Sequence, residues 1–421
     1  MTVTIVGAGA AGLTSAIFAA KNGRKVILLE RNKEAGKKIL MSGGSRCNVL
    51  PVKLDLSKDF FTDSPHLMKR IFSTWNIDDC HRWLTSELGL KLSCEEETSK
   101  WFPTSNDARE VRDALVERAK SLGVVFHYNS KVTSLERGAE DQWIITTEAG
   151  KRFPTEKVIL SSGGLSYPAV GTDGAGHQIL KELGHTLIET YPALTPLHGE
   201  HPHATALRGV TLPDVKVRVR GEGKEMVSQR TGFLFTHKGF SGPSILDSSH
   251  RWIRRANSSD QTTTPLLGEE RHPSAEVRVS WTGESAEEWH DYLLSIKTPM
   301  LVPNAVRYKI PARLSEAICA ELDLLAQPMN TMTSSQRKRL VEHLVNYQLK
   351  ISGHGGYKLA EVTGGGLPLT SIDTRTMELK SPECKGLHVC GEILDVFGRI
   401  GGFNFYWAWL SGRLAGMKAN G

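Results

Sequence analysis

No stretch of this 421-residue chain approaches the roughly 18 consecutive apolar residues that a membrane-crossing helix needs, and the first strand pattern starts at Thr2, leaving no room for a leader peptide. A cytoplasmic location without membrane contact is the expectation. The six cysteines, Cys47, Cys80, Cys94, Cys319, Cys384 and Cys390, never form a Cys-x-x-Cys pair, which argues against both a zinc site and a dithiol redox centre. Most should be buried thiols. No internal repeat and no RNA-binding module is readable, and neither sign of charge dominates. A net charge of +6 permits contact with a polyanion without demanding it, and surface lysines account for it equally well. Hydrophobic residues at 39% and charged residues at 23% describe a globular chain, too long for one ordinary core, so two or three domains are expected.

Against these absences stands one dense signal at the N-terminus. A short apolar strand containing Val3, Ile5 and Val6 runs into Gly7-Ala8-Gly9-Ala10-Ala11-Gly12 and a helix expected from Ala10 to about Lys21. Gly7 permits the tight turn, Gly9 lets the backbone approach a pyrophosphate, and Gly12 lets helix and strand pack closely. The helix N-terminus then faces the anion. A second strand, Lys25 to Leu29, ends in Glu30, placed to accept hydrogen bonds from ribose hydroxyls. An acid there suits FAD or NAD and repels the 2′-phosphate of NADP. No second G-x-G-x-x-G follows a strand; Gly171-Thr172-Asp173-Gly174-Ala175-Gly176 has the wrong spacing and follows a proline. A dedicated NAD(P)H domain is therefore not expected.

Further along, the Gly-rich segment Gly36 to Asn48 reads as neither helix nor strand and should be held against a ligand. Helices are expected from Pro65 to Leu88, broken near Asn76, and from Asp107 to Leu122 with Asn106 as N-cap and Gly123 as stop. Strand patterns cover Val124 to Tyr128, Lys131 to Glu136 and Gln142 to Thr147, and Lys157 to Gly164 reads as a buried strand ending in small residues. Near Leu194 the character changes to alternating strands (Val215 to Arg220, Gly232 to Thr236, Glu276 to Trp281), a polar stretch around Ser258 to Thr264, and helices, the last from Ser335 to Leu349. From Ser352 the Gly-rich character returns, and Leu387 to Glu392 is again a buried strand ending at a ligand. The expected organisation is a nucleotide domain over 1–193 and 352–421, interrupted by an inserted substrate domain over 194–351.

Taken together, Lys37 to Asn48, Ser162-Gly163-Gly164-Leu165-Ser166-Tyr167-Pro168, Leu234-Phe235-Thr236-His237 with Gly239, Ser241-Gly242-Pro243, and Gly391-Glu392-Ile393-Leu394-Asp395 followed by Gly401-Gly402-Phe403-Asn404 resemble one family. It is the bacterial YhiN-like flavoproteins, also called the BaiN or aminoacetone-oxidase family. The resemblance implies an α/β fold: a Rossmann-like, glutathione-reductase-type FAD-binding domain split by a β-barrel with helices. It implies tightly bound, non-covalent FAD. It also implies cofactor contacts at Gly7, Gly9, Ala10, Ala11, Gly12, Glu30, Arg31, Lys38, Ser42, Gly43, Gly44, Arg46, Cys47, Asn48, Val132, Ser162, Gly163, Gly164, Gly391, Glu392, Asp395, Gly401, Gly402, Phe403 and Asn404. The chain departs from the common family pattern at Ser45, where Gly is usual, and at Phe403, where Tyr is common.

The last helix, expected over Phe405 to Met417, would aim its positive N-terminal end at the flavin pyrimidine. For Phe405, Trp407 and Trp409, core packing is favoured over stacking on a ligand. Two side chains stand out as catalytic candidates. Cys47 suggests a thiolate partner for the flavin or a proton donor, although a small packed thiol is the favoured reading because no second cysteine lies near it in sequence. His237 reads equally as a general acid, a substrate binder or a turn histidine.

Three functional classes follow. The first is a flavin-dependent reductase of RNA, since the resemblance includes members linked to dihydrouridine formation in large-subunit ribosomal RNA, and Arg251, Arg254, Arg255 and Gln336-Arg337-Lys338-Arg339 are compatible cations. The second is an oxidase or reductase of small amines, ketones or enones. The third is a flavin-binding assembly protein without turnover. Reducing equivalents would come from NAD(P)H docking transiently, from another reductase, or from the substrate.

Overall fold

The computed structural model describes residues 1–204, 207–220, 225–228, 231–259 and 275–419. They divide into two compact units, Met1–Thr190 with Val362–Gly421, and Tyr191–Glu361.

The first unit is built on a five-stranded parallel sheet in the order Leu387–Val389, Lys157–Leu160, Thr2–Val6, Lys25–Leu29, Val125–His127. Such a sheet must be covered on both faces, which explains why Val3, Ile5, Leu28, Ile159 and Leu387 are all fully buried. One covering layer is a helix pair, Ala10–Lys21 against the C-terminal Phe403–Lys418. A Cβ on Gly412 would lie 2.4 Å from the Ala11 carbonyl oxygen, and one on Gly416 would lie 2.4 Å from that of Ser15. Only glycine allows the two backbones to come this close. The same approach lays the middle of the C-terminal helix beside the start of the first.

The expected helix break near Asn76 is present: Pro65–Phe72 ends, and Asn76 caps Ile77–Arg82 by accepting from the Asp79 N–H at 2.8 Å. The next helix, Ala108–Ser121, is capped by Asp107 rather than Asn106, whose backbone sits at φ 54° and turns the chain into the helix. A three-stranded antiparallel meander, Val132–Arg137, Trp143–Thr147 and Arg152–Thr155, completes the unit's larger elements. Phe405 stacks on Trp409, and Trp407 and Trp409 are buried with their indole N–H groups donating to Gly391 and Val49 carbonyls, which is core packing.

The second unit contains a six-stranded barrel. Its strands pair in the order Thr211–Arg220, Thr231–Thr236, Gly239–Ser241, Leu197–Glu200, Tyr347–His354, Glu276–Ser280, and the last returns to the first. Phe233, Phe235, Phe240, Trp281, Val217 and Val279 fill it. Closure depends on Tyr347–His354, where a helix to Leu349 is expected from sequence. The helix Ser334–Val345 stops because Asn346 turns to φ −147°, and beyond it buried Tyr347 and Leu349 alternate with exposed Gln348 and Lys350. That strand belongs to the barrel sheet, so the second unit runs to Glu361 rather than to 351. Of the polar stretch around Ser258 to Thr264, residues from 260 onward lie outside the described residues.

Candidate cofactor site

Residue Gly7 leaves the first strand at φ 99°, and Ser161 ties the turn down, its hydroxyl donating to the Val6 and Gly7 carbonyl oxygens at 2.9 and 3.0 Å. A Cβ on Gly12 would collide with the Gly7 oxygen at 1.9 Å, whereas one on Gly9 would meet nothing within 4 Å. The space beside Gly9 is thus open. It lies at the N-terminus of Ala10–Lys21, which carries no side-chain cap and no acid in its first turn. Free N–H groups, a positive dipole end and an open backbone approach are what a pyrophosphate requires.

Glu30 is buried at the end of the second strand, accepting from the Ala8 N–H at 2.9 Å and the Asn32 N–H at 2.8 Å. The Asn32 side-chain amide also donates to it at 2.8 Å, so of about four acceptor sites on the carboxylate one remains for a ribose hydroxyl. Val132 lies close by, because the Ser130 N–H donates to the Glu30 carbonyl at 2.8 Å. Arg31 is held by Asp173 at 2.7 Å.

A second polar knot joins four segments far apart in sequence. Lys38 donates to Ser166 Oγ at 2.5 Å and to Glu392 Oε2 at 2.6 Å, while Glu392 Oε1 accepts from Ser166 Oγ and the Thr363 N–H. Burial pushes the Glu392 carboxyl up, but the adjacent Lys38 ammonium and the bonds from Ser166 and Thr363 override it and hold it below the ordinary carboxylate value. Gly164 belongs to this knot through close approach: a Cβ there would lie 2.3 Å from Thr363 Oγ1. Sequence reasoning missed Ser161 and Thr363, and named Ser166 only as part of a motif. Their one readable signal was membership of small-residue runs after buried strands. Ser162 Oγ is buried with no hydrogen-bond partner among the described residues and lies against Gly176, where a Cβ would fall 1.9 Å from it.

The loop Ser42–Ser45 is left-handed at Gly43, Gly44 and Ser45 (φ 55°, 67° and 69°), and Cys47 follows at 59°. Asn48 closes it from beneath, its backbone nitrogen 3.2 Å from where a Gly43 Cβ would stand. Arg46 is engaged by protein partners: Glu95 at 2.9 Å, Asn106 at 2.8 Å and the ring of Phe102. Asp395 accepts from the Asp63 N–H at 2.9 Å, and Asn404 is bonded to both polar backbone groups of Gly398. Gly391 packs on Ala11, a Cβ there falling 2.9 Å from the Ala11 methyl. Gly402 follows Gly401 and precedes the C-terminal helix at φ 88°, again without a side-chain cap, and Phe403 is buried beneath Arg399.

The catalytic candidates fare differently. Cys47 is fully buried, and burial, only partly offset by a hydrogen bond with Ser42, pushes its thiol up to about 12. A thiol buried in this way and held that high keeps its proton, which matches the packed-thiol reading favoured from sequence rather than the thiolate alternative. His237 is exposed in the second unit, in the turn between Thr231–Thr236 and Gly239–Ser241. Two histidines that the sequence did not single out lie in the same barrel region. His198 pairs with Gly239, and His354 pairs with Leu197 beside it. Both are held below the ordinary histidine value, first by burial; Lys238 and His237 add repulsion at His198, and His198 adds it at His354. The candidate cations separate as well: Arg254 lies over the Tyr191 ring, the Arg255 side chain is outside the described residues, and Lys338 and Arg339 are exposed.

No helix among the described residues is long and apolar enough to cross a membrane.

The comparisons agree with one another. Residues 1–418 match the model of the HI0933-like protein Rossmann domain. The chain is 30% identical to the ribosomal RNA dihydrouridine synthase of Haemophilus influenzae, covering 97% of this chain and 95% of that protein. It is 29% identical to the protein of the same name in Escherichia coli, over 97% and 95%. It is 27% identical to the 3-dehydro-bile acid delta(4,6)-reductase of Clostridium scindens, over 99% and 98%. With an open, uncapped anion site and an acid at the second strand end, and with residues 1–418 matching the family model, the chain belongs to the HI0933-like family of FAD-dependent oxidoreductases.

Proposed function

We propose that this FAD-dependent oxidoreductase reduces uridine in ribosomal RNA to dihydrouridine, using NAD(P)H as a transient reductant, in the cytoplasm. The observation that carries the reading is the end-to-end similarity to two proteins named ribosomal RNA dihydrouridine synthase, at 29% and 30% identity. The end-to-end similarity to a bile acid reductase favours a second reading, reduction of a small enone. The two share one chemistry: the C5=C6 bond of uracil is conjugated to the C4 carbonyl, as the double bonds of a delta(4,6) substrate are to its 3-oxo group.

Bound FAD supplies hydride from its reduced ring. The chain's own groups do the holding. Gly7, Gly9, Ala10, Ala11 and Gly12 take the pyrophosphate against the helix end, and Glu30 with the Val132 backbone takes the adenosine side. Ser162, Gly163, Gly164, Gly391 and the Lys38–Glu392 pair border the ribityl region, with Gly43 and Gly44 presenting bare backbone. The uncapped start of the C-terminal helix at Gly402 and Phe403 would hold the flavin and favour negative charge on it. His237, exposed in the turn before Gly239–Ser241, is the candidate donor of the proton to substrate carbon.

The test is anaerobic reduction of the yellow protein with NADPH and NADH, followed by mixing with unmodified ribosomal RNA. Reoxidation by RNA, with dihydrouridine found by mass spectrometry, is the expected result. Silence toward RNA with rapid reoxidation by a steroidal dienone would replace it with the second reading.

A further inference from the structure

We infer that the outer face of the barrel strand Thr211–Arg220 docks the phosphate backbone of RNA, an inference that rests on ribosomal RNA being the substrate. Val215, Val217 and Val219 point into the barrel and are at most 2% exposed. Strand alternation therefore puts Lys216, Arg218 and Arg220 on the opposite face, about 7 Å apart along the strand. All three retain solvent exposure. A cation at each such step suits successive phosphates of an extended polynucleotide.

The neighbouring strand extends the charge sideways. Arg218 stands directly across from Arg278 of Glu276–Ser280, on the same face. Cβ atoms so paired are about 5 Å apart, and like charges there destabilise the sheet. Arg278 has partial relief from Glu276 at 3.0 Å. Among the described residues no carboxylate lies within 4.0 Å of the charged ends of Lys216, Arg218 or Arg220, although Glu276 stands across the ladder from Arg220. Folding alone gains nothing from Arg218 facing Arg278 with Lys216 beside it, whereas a bound phosphate would neutralise them through charge-assisted hydrogen bonds.

The probe is a fragment of unmodified large-subunit ribosomal RNA, and the protein is the full chain loaded with FAD. Binding is measured between 50 and 200 mM salt for the native chain and for Lys216→Gln/Arg218→Gln/Arg220→Gln, with flavin content and unfolding midpoint confirming that the variant is intact. Three lost phosphate contacts should lower the slope of log K against log salt by about 2 to 3. The KM for RNA should rise by more than tenfold while kcat changes little, and Arg218→Lys/Arg220→Lys should restore most of the slope because charge is what a phosphate reads. Unchanged slope and KM in the glutamine variant, with the native chain still forming dihydrouridine, would overturn the docking face and leave the proposed function standing. If the native chain forms no dihydrouridine on RNA, both fall together.

Discussion

Replacing Lys38 by Met removes the one cation that keeps Glu392 charged in a place where burial works against charge. With 2.6 Å between Nζ and Oε2, the pair interacts more strongly than the ~4 kcal/mol expected at 4 Å and an effective dielectric of 20. Much of that is offset by desolvation. Both side chains are less than one-third exposed, so a cost of about 3 kcal/mol at pH 7, near the low end for a broken buried pair, is expected. The sign of the pH dependence is the sharper consequence. In the native chain the Glu392 pKa lies below its ordinary 4.5, so its contribution is present above that value and is lost as pH falls through the depressed folded value. In Lys38→Met only the bonds from Ser166 and the Thr363 N–H still oppose burial, so the folded pKa moves upward and the loss of stability on acidification weakens or reverses. The difference in urea midpoint between native chain and variant, followed from pH 7 to pH 4, should therefore shrink on acidification, and Lys38→Met/Glu392→Gln should be more stable than Lys38→Met alone at pH 7. A difference that stays constant over that range would refute the account of the knot as a burial-strained ion pair.

Three further outcomes are expected. Ser45 sits at φ 69°, where an L side chain costs ~1–2 kcal/mol; after the extra freedom of glycine in the unfolded chain, Ser45→Gly should stabilise by about 0.5–1 kcal/mol in urea unfolding. Gly9→Asp introduces a carboxylate into an open space at a helix N-terminus, so it should fold yet emerge colourless, and a normally yellow protein would count against the pyrophosphate position. In thiol titration of the native protein Cys94, the exposed cysteine, should react quickly, while Cys47 and Cys390, both pushed up to about 12 by burial, should react only on unfolding.

Much of the first unit was legible because its determinants are local. A bare turn after an apolar strand, an uncapped helix start and an acid at the end of the next strand are written within thirty residues, and the same local logic placed the break at Asn76. Local pattern failed where two periods overlapped, as at Tyr347–His354, whose alternation follows directly on a helix and becomes decisive only when the barrel offers it two neighbours. Cys47 was ambiguous because sequence spacing says nothing of burial.

Residue identity alone therefore settled the strand and helix starts, the positions that must remain glycine, and the family resemblance. Which distant residues would meet was settled by folding. Lys38 and Glu392 are 354 positions apart and become an ion pair only through the parallel sheet and the Gly412 and Gly416 approach that brings the chain's two ends together. The facing arginines at 218 and 278, and the histidines at 198 and 354, likewise exist as neighbours only through strand register. Propensity and capping act over a few residues and can be read in order along the chain; charge pairing, burial and register depend on distances that exist only once the chain has closed on itself.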